Sequence, residues 1–145
     1  MTKIEVLETT LARVEVDRDA RVVRLVRKPG ALDVESLNRA LDSFQLMVPL
    51  RERPKLVLLQ DMRQAPMVRN EEIERALIEA LPRLAGKFAV RAVIIATPVG
   101  RLQATRFGSV GGGEFRVFLD EVEAERFVAG EAAKLRGLHG RGGRA

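Results

Sequence analysis

Lys55-Leu-Val-Leu-Leu-Gln-Asp61 is an apolar run of strand length that stops at a carboxylate. A near-continuous hydrophobic run is what a strand buried on both faces requires, and such strands belong to parallel sheets covered by helices. The next residues fit that reading. A turn over Met62 to Arg69 leads to Asn70, a good helix cap, and Ile73, Leu77, Ala80, Leu81 and Leu84 then fall on one helical stripe. In open sheets of this kind, binding residues collect beyond the carboxyl ends of the strands. Asp61 and the loop Met62 to Arg69 therefore mark the expected binding edge.

Upstream, Leu11 to Val16 and Arg21 to Arg27 alternate apolar and charged residues around Asp17-Arg18-Asp19-Ala20, the pattern of a hairpin. Lys28-Pro29-Gly30 stops the second strand, because proline cannot donate to a ladder and glycine accepts unusual torsions. Asp33 then caps a helix to about Val48, with Val34, Leu37, Leu41, Phe44 and Val48 on one side, and Pro49 and Pro54 bracket the link into the central strand. Downstream, Pro82 kinks or shortens the last turn of the second helix, which ends near Leu84, and Gly86 closes it. Ala89 to Thr97 is a second buried strand. Thr97-Pro98 opens a short helix to about Phe107, Gly108 to Gly113 is a loop, and Phe115 to Leu119 is the last strand. Asp120-Glu-Val-Glu123 is a capping arrangement that starts the final helix. The order ββαβαβαβα predicts an α/β domain with a mixed, mainly parallel sheet of about five strands and an N-terminal hairpin. Residues 1–136 form one domain, and 137–145 read as a basic, Gly-rich, disordered tail.

The 145 residues are 46% hydrophobic and 31% charged, the balance of an ordinary globular domain large enough to bury a core. There is no cysteine, which excludes disulfides, thiolate metal sites and cysteine nucleophiles. The charged N-terminus does not resemble a signal peptide, and no apolar run approaches the roughly 18 residues that span a bilayer, so a cytoplasmic location is expected. Of the net charge of +5, Lys134, Arg136, Arg141 and Arg144 supply +4 with no acid after Glu131, which leaves +1 for the rest. Membrane contact is not expected except weakly through the tail, and nucleic-acid binding is not expected in a chain with no Trp or Tyr to stack on bases. Catalysis has little to stand on. The sole histidine, His139, lies in the tail, and none of Ser36, Ser43, Thr97, Thr105 or Ser109 has an adjacent base. No cluster has metal-ligand spacing, and no cofactor motif occurs: Gly108-Ser-Val-Gly-Gly-Gly113 leads into a strand and lacks the lysine of a phosphate loop. No catalytic residue, phosphosite, metal or cofactor is expected.

Leu-Val-Leu-Leu-Gln-Asp61 ending the central strand, Val93-Ile-Ile-Ala-Thr97 ending the next, and Phe115-Arg-Val-Phe-Leu-Asp-Glu-Val-Glu-Ala124 at the end together resemble the STAS superfamily, the anti-sigma-factor-antagonist domains. The closing Arg116-Val117-Phe118 with Glu123-Ala124 looks like the STAS/SEC14-like branch. The resemblance spans about Leu11 to Phe127. It implies a non-catalytic regulatory domain of a bacterial signalling pathway that binds a protein partner. Asp61 matches the family's strand-end aspartate. The phosphoregulated members carry a Ser or Thr at the start of the following helix, whereas Met62-Arg-Gln-Ala-Pro66 and the residues up to Asn70 hold no hydroxyl. The expected partner surface combines Asp61, Met62, Arg63, Met67, Val68 and Arg69 with Thr97 and Arg101. Four apolar side chains in that loop, Met62, Pro66, Met67 and Val68, either tuck under the helices or form a contact patch. The alternative is a lipid-like small ligand held between helices and sheet, since the region of Pro98 to Phe107 borders an apolar pocket in the SEC14-like branch. Self-association through the hairpin or sheet edge is a further expectation.

Overall fold

The computed structural model describes residues 3–68, 70–108 and 114–142. Six strands and four helices follow in the order β1 (Ile4–Glu8), β2 (Ala12–Asp17), β3 (Val22–Arg27), α1 (Val34–Met47), β4 (Val57–Asp61), α2 (Glu71–Ala85), β5 (Val90–Ile94), α3 (Pro98–Gly108), β6 (Glu114–Phe118) and α4 (Glu121–Gly142). The strands lie side by side in chain order. β1, β2 and β3 pair antiparallel, and β3 through β6 pair parallel. The mixed α/β architecture is the one expected, with the central strand inside the sheet between β3 and β5.

That simple order decides where the helices go. Each parallel crossover, β3 to β4, β4 to β5 and β5 to β6, steps in the same direction, and right-handed crossovers that step the same way place their helices on the same face. α1 and α2 accordingly pack together over one face, with α3 against α2 and the β6 edge. The opposite face is covered by α4, which folds back after the last strand so that Ala124, Val128 and Ala132 pack on Val57, Leu59, Val90, Ala92 and Ile94. Period-2 alternation sorts the strand residues between these two cores. Val14, Val16, Val23, Leu25 and Leu58 meet Phe44 and Val48 on the α1 side.

Local signals behave as the residue types require. Asp33 Oδ1 accepts from Ser36 N at 2.8 Å and Asn70 Oδ1 from Glu72 N at 2.8 Å, so both helix starts have a side-chain cap. Asp17 Oδ1 accepts from Ala20 N at 3.0 Å to close the hairpin turn. Gly30, at φ 119°, occupies a conformation that a side chain disfavours.

Two expectations are corrected. The sheet has six strands rather than about five, because Ile4–Glu8 adds an edge strand. Its apolar residues Ile4 and Val6 stay exposed, so no burial pattern marked it. It is held by backbone pairing and by acids reaching basic neighbours: Glu8 to Arg13 at 2.5 Å and to Lys28 at 2.6 Å, Glu5 to Arg18 at 2.9 Å. The second correction concerns 137–145. α4 does not stop at 136 but runs to Gly142, anchored near that point by Leu135 on the core and by Arg136 Nη1 donating to Ala20 O at 2.9 Å. Residues 143–145 lie outside the described residues.

Candidate functional site

β4 is apolar from Val57 to Leu59, then carries Gln60 and Asp61. Strand alternation turns these last two to opposite faces. Val57 and Leu59 face α4, so Gln60 and then Met62 face the α1 and α2 side. On β5 the same parity sends Val90, Ala92 and Ile94 to α4 and Arg91, Val93 and Ile95 the other way.

On that second face the helices do not close on the sheet. A pocket of about 730 Å³ lies between α2, the loop after β4, the start of α3 and the floor made by β4 and β5. Ile73, Leu77, Leu81 and Leu84 of α2 form one wall. These were the expected buried stripe, yet all four remain only half-buried, and Ala80 alone of that stripe is sealed, against the α1 residues Leu37 and Leu41. Met62, Pro66, Met67 and Val68 of the loop form another wall, and Gly100 and Ala104 of α3 a third. The floor carries two polar side chains beside the apolar Val93 and Ile95: Gln60 is 5% exposed and Arg91 2%. The Arg91 guanidinium lies over the Phe115 ring at 5.1 Å, and burial pushes its pKa below the usual arginine range.

Asp61 has a different role. Its carboxylate accepts from Arg63 Nε at 2.9 Å, from Arg63 Nη2 at 2.6 Å and from the Arg63 backbone N at 3.2 Å. Arg63 Nη1 also reaches Glu121 at 3.2 Å, at the start of α4. The loop is thus clamped to the α4 side of the sheet while its apolar residues line the pocket on the other. The Arg63 hydrogen bonds hold the Asp61 carboxyl below the ordinary aspartate range and Arg63 above the ordinary arginine range. Met62 N also donates to Ile94 O at 2.8 Å, which extends the β4–β5 pairing by one residue.

The sequence matches no family profile and no curated protein. Among solved structures it is similar to an uncharacterized protein of the DUF3478 family from Shewanella loihica PV-4, with 17% identity, 88% of this chain and 93% of that chain covered, and a TM-score of 0.51. That protein is described as having a SpoIIAA-like fold. The present chain has the SpoIIAA-like, or STAS, fold. At this identity the likeness is one of fold.

Within the STAS frame the expected site residues divide. Met62, Arg63, Met67, Val68 and Thr97 all line the pocket. Asp61 is the loop's anchor. Thr97 also caps α3, its Oγ1 accepting from Gly100 N at 3.0 Å. Arg101 is exposed on the first turn of α3, and Arg69 lies outside the described residues. Sequence reasoning missed Gln60, Arg91 and Arg27, which also lines the pocket. For Gln60 and Arg91 the available signal was a polar residue inside an apolar strand run, whereas Arg27 ends an alternating strand. No helix of the described residues is long and apolar enough to cross a membrane, and no group of three metal-ligating side chains occurs among them.

The Asp61 clamp gives a pH-dependent prediction. A carboxyl whose folded pKa is depressed stabilises the fold above its unfolded pKa and loses that contribution as pH falls through the folded value. Asp61→Asn should therefore cost about 1 kcal/mol near neutrality, the discount reflecting solvent access to the pair. Urea denaturation should show the wild-type and variant stabilities converging as pH falls below the ordinary aspartate value of 3.8. A difference that persists unchanged at pH 2.5 would rule out the ion pair as its source.

Proposed function

We propose that this STAS-fold chain is a non-catalytic binding module that holds a small apolar or amphiphilic molecule between α2 and the sheet. One observation carries the reading: the apolar stripe of α2 is left half-buried over an open volume instead of sealing the core. An exposed apolar stripe costs roughly 25 cal/mol per Å² relative to burial, so a ligand that covers it gains that free energy. The pocket's 730 Å³ lies inside the ~300–1,000 Å³ range of small-molecule sites. Its walls are aliphatic and thioether side chains, with few polar groups to orient a ligand, which is the usual make-up of such sites. This is the lipid-like ligand alternative of the SEC14-like resemblance.

The test is native mass spectrometry of the full chain purified without detergent. A second peak heavier by a few hundred daltons, lost on denaturation, supports the reading. Only the bare mass, both as purified and after incubation with medium-chain lipids, overturns it.

A second reading is favoured by the surface around the same elements. Met67 is 47% exposed, and Val99 and Leu102 of α3 are 61% and 75% exposed. Under that reading the loop and α3 dock a protein partner in a regulatory pathway of the bacterial cytoplasm, with Arg63, Arg69 and Arg101 contributing charge. A pull-down from native extract with wild type and Met67→Asp decides it. Identical recovery by both proteins counts against the loop as an interface.

A further inference from the structure

The polar side chains that line the pocket differ in what holds them. Arg63 is paired with Asp61 and Glu121. Arg27 donates to the carbonyls of Leu11 at 3.3 Å, Gly30 at 3.1 Å and Lys28. Asn70 and Thr97 use their side-chain oxygens to cap α2 and α3, and Arg91 is engaged too, with its guanidinium over the Phe115 ring. Gln60 is the exception. It is 5% exposed and lines the pocket, and no described residue hydrogen-bonds its side-chain amide. Its partners in register on the neighbouring strands are Leu25 and Val93, so the positions beside it offer the amide only apolar side chains. A buried amide left without a partner is costly, and a molecule that enters the pocket with a matching group removes that cost.

We infer that Gln60 selects the head of the ligand, which is an aliphatic chain with an uncharged head that both donates and accepts hydrogen bonds, a hydroxyl or a carboxamide. This rests on the pocket being a ligand site. An amide carries two donors and one acceptor, so a head that only accepts leaves the Gln60 oxygen unpaired. A charged head gives up more hydration on entering; the lining arginines are already engaged, and no aspartate or glutamate is among the described lining residues to receive a cation. With the head at Gln60, the chain runs along the wall of α2, where Ile73, Leu77 and Leu81 recur at four-residue spacing on one side of the helix. No aromatic ring is among the described residues that line the pocket, which favours a flexible chain over a flat ring system.

The experiment is calorimetric titration of the full chain at pH 7.5 with decanol, decanamide, decyl methyl ether, decanoate and decyltrimethylammonium. The tighter of decanol and decanamide identifies the head, and it should bind at least about fivefold tighter than the ether and both ions, as expected for one net hydrogen bond. A site that reads apolar surface alone gives the opposite order for alcohol and ether, because the ether leaves water more readily. Gln60→Met, which keeps the length and removes both hydrogen-bonding atoms, should erase the preference over the ether while the ether binds as before. Should that variant not fold, wild type decides alone. Ether or either ion binding as tightly as the better neutral head, or the preference intact in a folded Gln60→Met, overturns the inference while the pocket reading stands. No binding of any compound overturns both.

Discussion

Arg53→Ala is expected to lose about 3–5 kcal/mol of folding stability, a large share of the roughly 5–15 kcal/mol that holds a domain of this size. Arg53 is fully buried under the link between α1 and β4. Its guanidinium lies between the rings of Phe44 and Phe88, 5.1 Å from each centroid. Nε donates to Val48 O at 3.1 Å and Nη1 to Gly86 O at 3.2 Å, so one side chain ties the end of α1 to the end of α2. Truncation removes both bonds, strands two buried carbonyls and leaves a cavity between two rings. The charge itself is not the stabilising element, because desolvation pushes the Arg53 pKa down to about 10. Arg53→Met, which fills the space without the charge, should therefore cost less than half as much as Arg53→Ala. Urea unfolding of the two variants checks both expectations. An Arg53→Ala protein within 1 kcal/mol of wild type would mean that the stacked guanidinium contributes little.

The second large effect concerns the pocket. Ile73→Trp should weaken binding of the neutral fluorescent probe N-phenyl-1-naphthylamine by about tenfold or more, equivalent to about 1.4 kcal/mol, with the melting temperature almost unchanged. Ile73 lines the pocket and is half-buried, and it belongs to none of the three buried clusters. The added indole consequently enters open volume. Overpacking a sealed core costs about 1–3 kcal/mol, so a matched enlargement at Leu58, fully buried beneath Phe44 and Val48, should lower stability where Ile73→Trp does not. Probe fluorescence and thermal unfolding measured on both variants separate the two behaviours. Unaltered probe affinity in Ile73→Trp would move the binding site away from α2.

Much of the architecture was legible because two periodicities alternate along the chain. The 2-residue pattern of Leu11 to Val16 and the helical stripes after Asp33 and Asn70 each correspond to an element with the caps in place. β1 was not legible, since an edge strand that exposes Ile4 and Val6 leaves no burial signature and its pairing is a backbone property. The site was half legible. The apolar run ending at Asp61 marks the loop after it as one edge, although strand parity already assigns Asp61 and Met62 to opposite faces. Gln60 and Arg91 are hard to see in the sequence because one polar residue hardly disturbs an apolar run, while in the folded sheet each occupies a whole position on the pocket floor. The gap between α2 and the sheet was beyond sequence reading altogether: a hydrophobic stripe tells which way a helix faces, not how far it stands from what it faces.

The most direct measurement is the map of backbone amide shifts when N-phenyl-1-naphthylamine is titrated into isotope-labelled protein. A ligand lodged between α2 and the sheet should move Gln60, Met62, Ile73, Arg91 and Val93 together and leave the exposed strand face of Ile4, Val6 and Val26 still. Shifts confined to that strand face, or scattered with no saturation, would contradict a binding cavity on the α2 side.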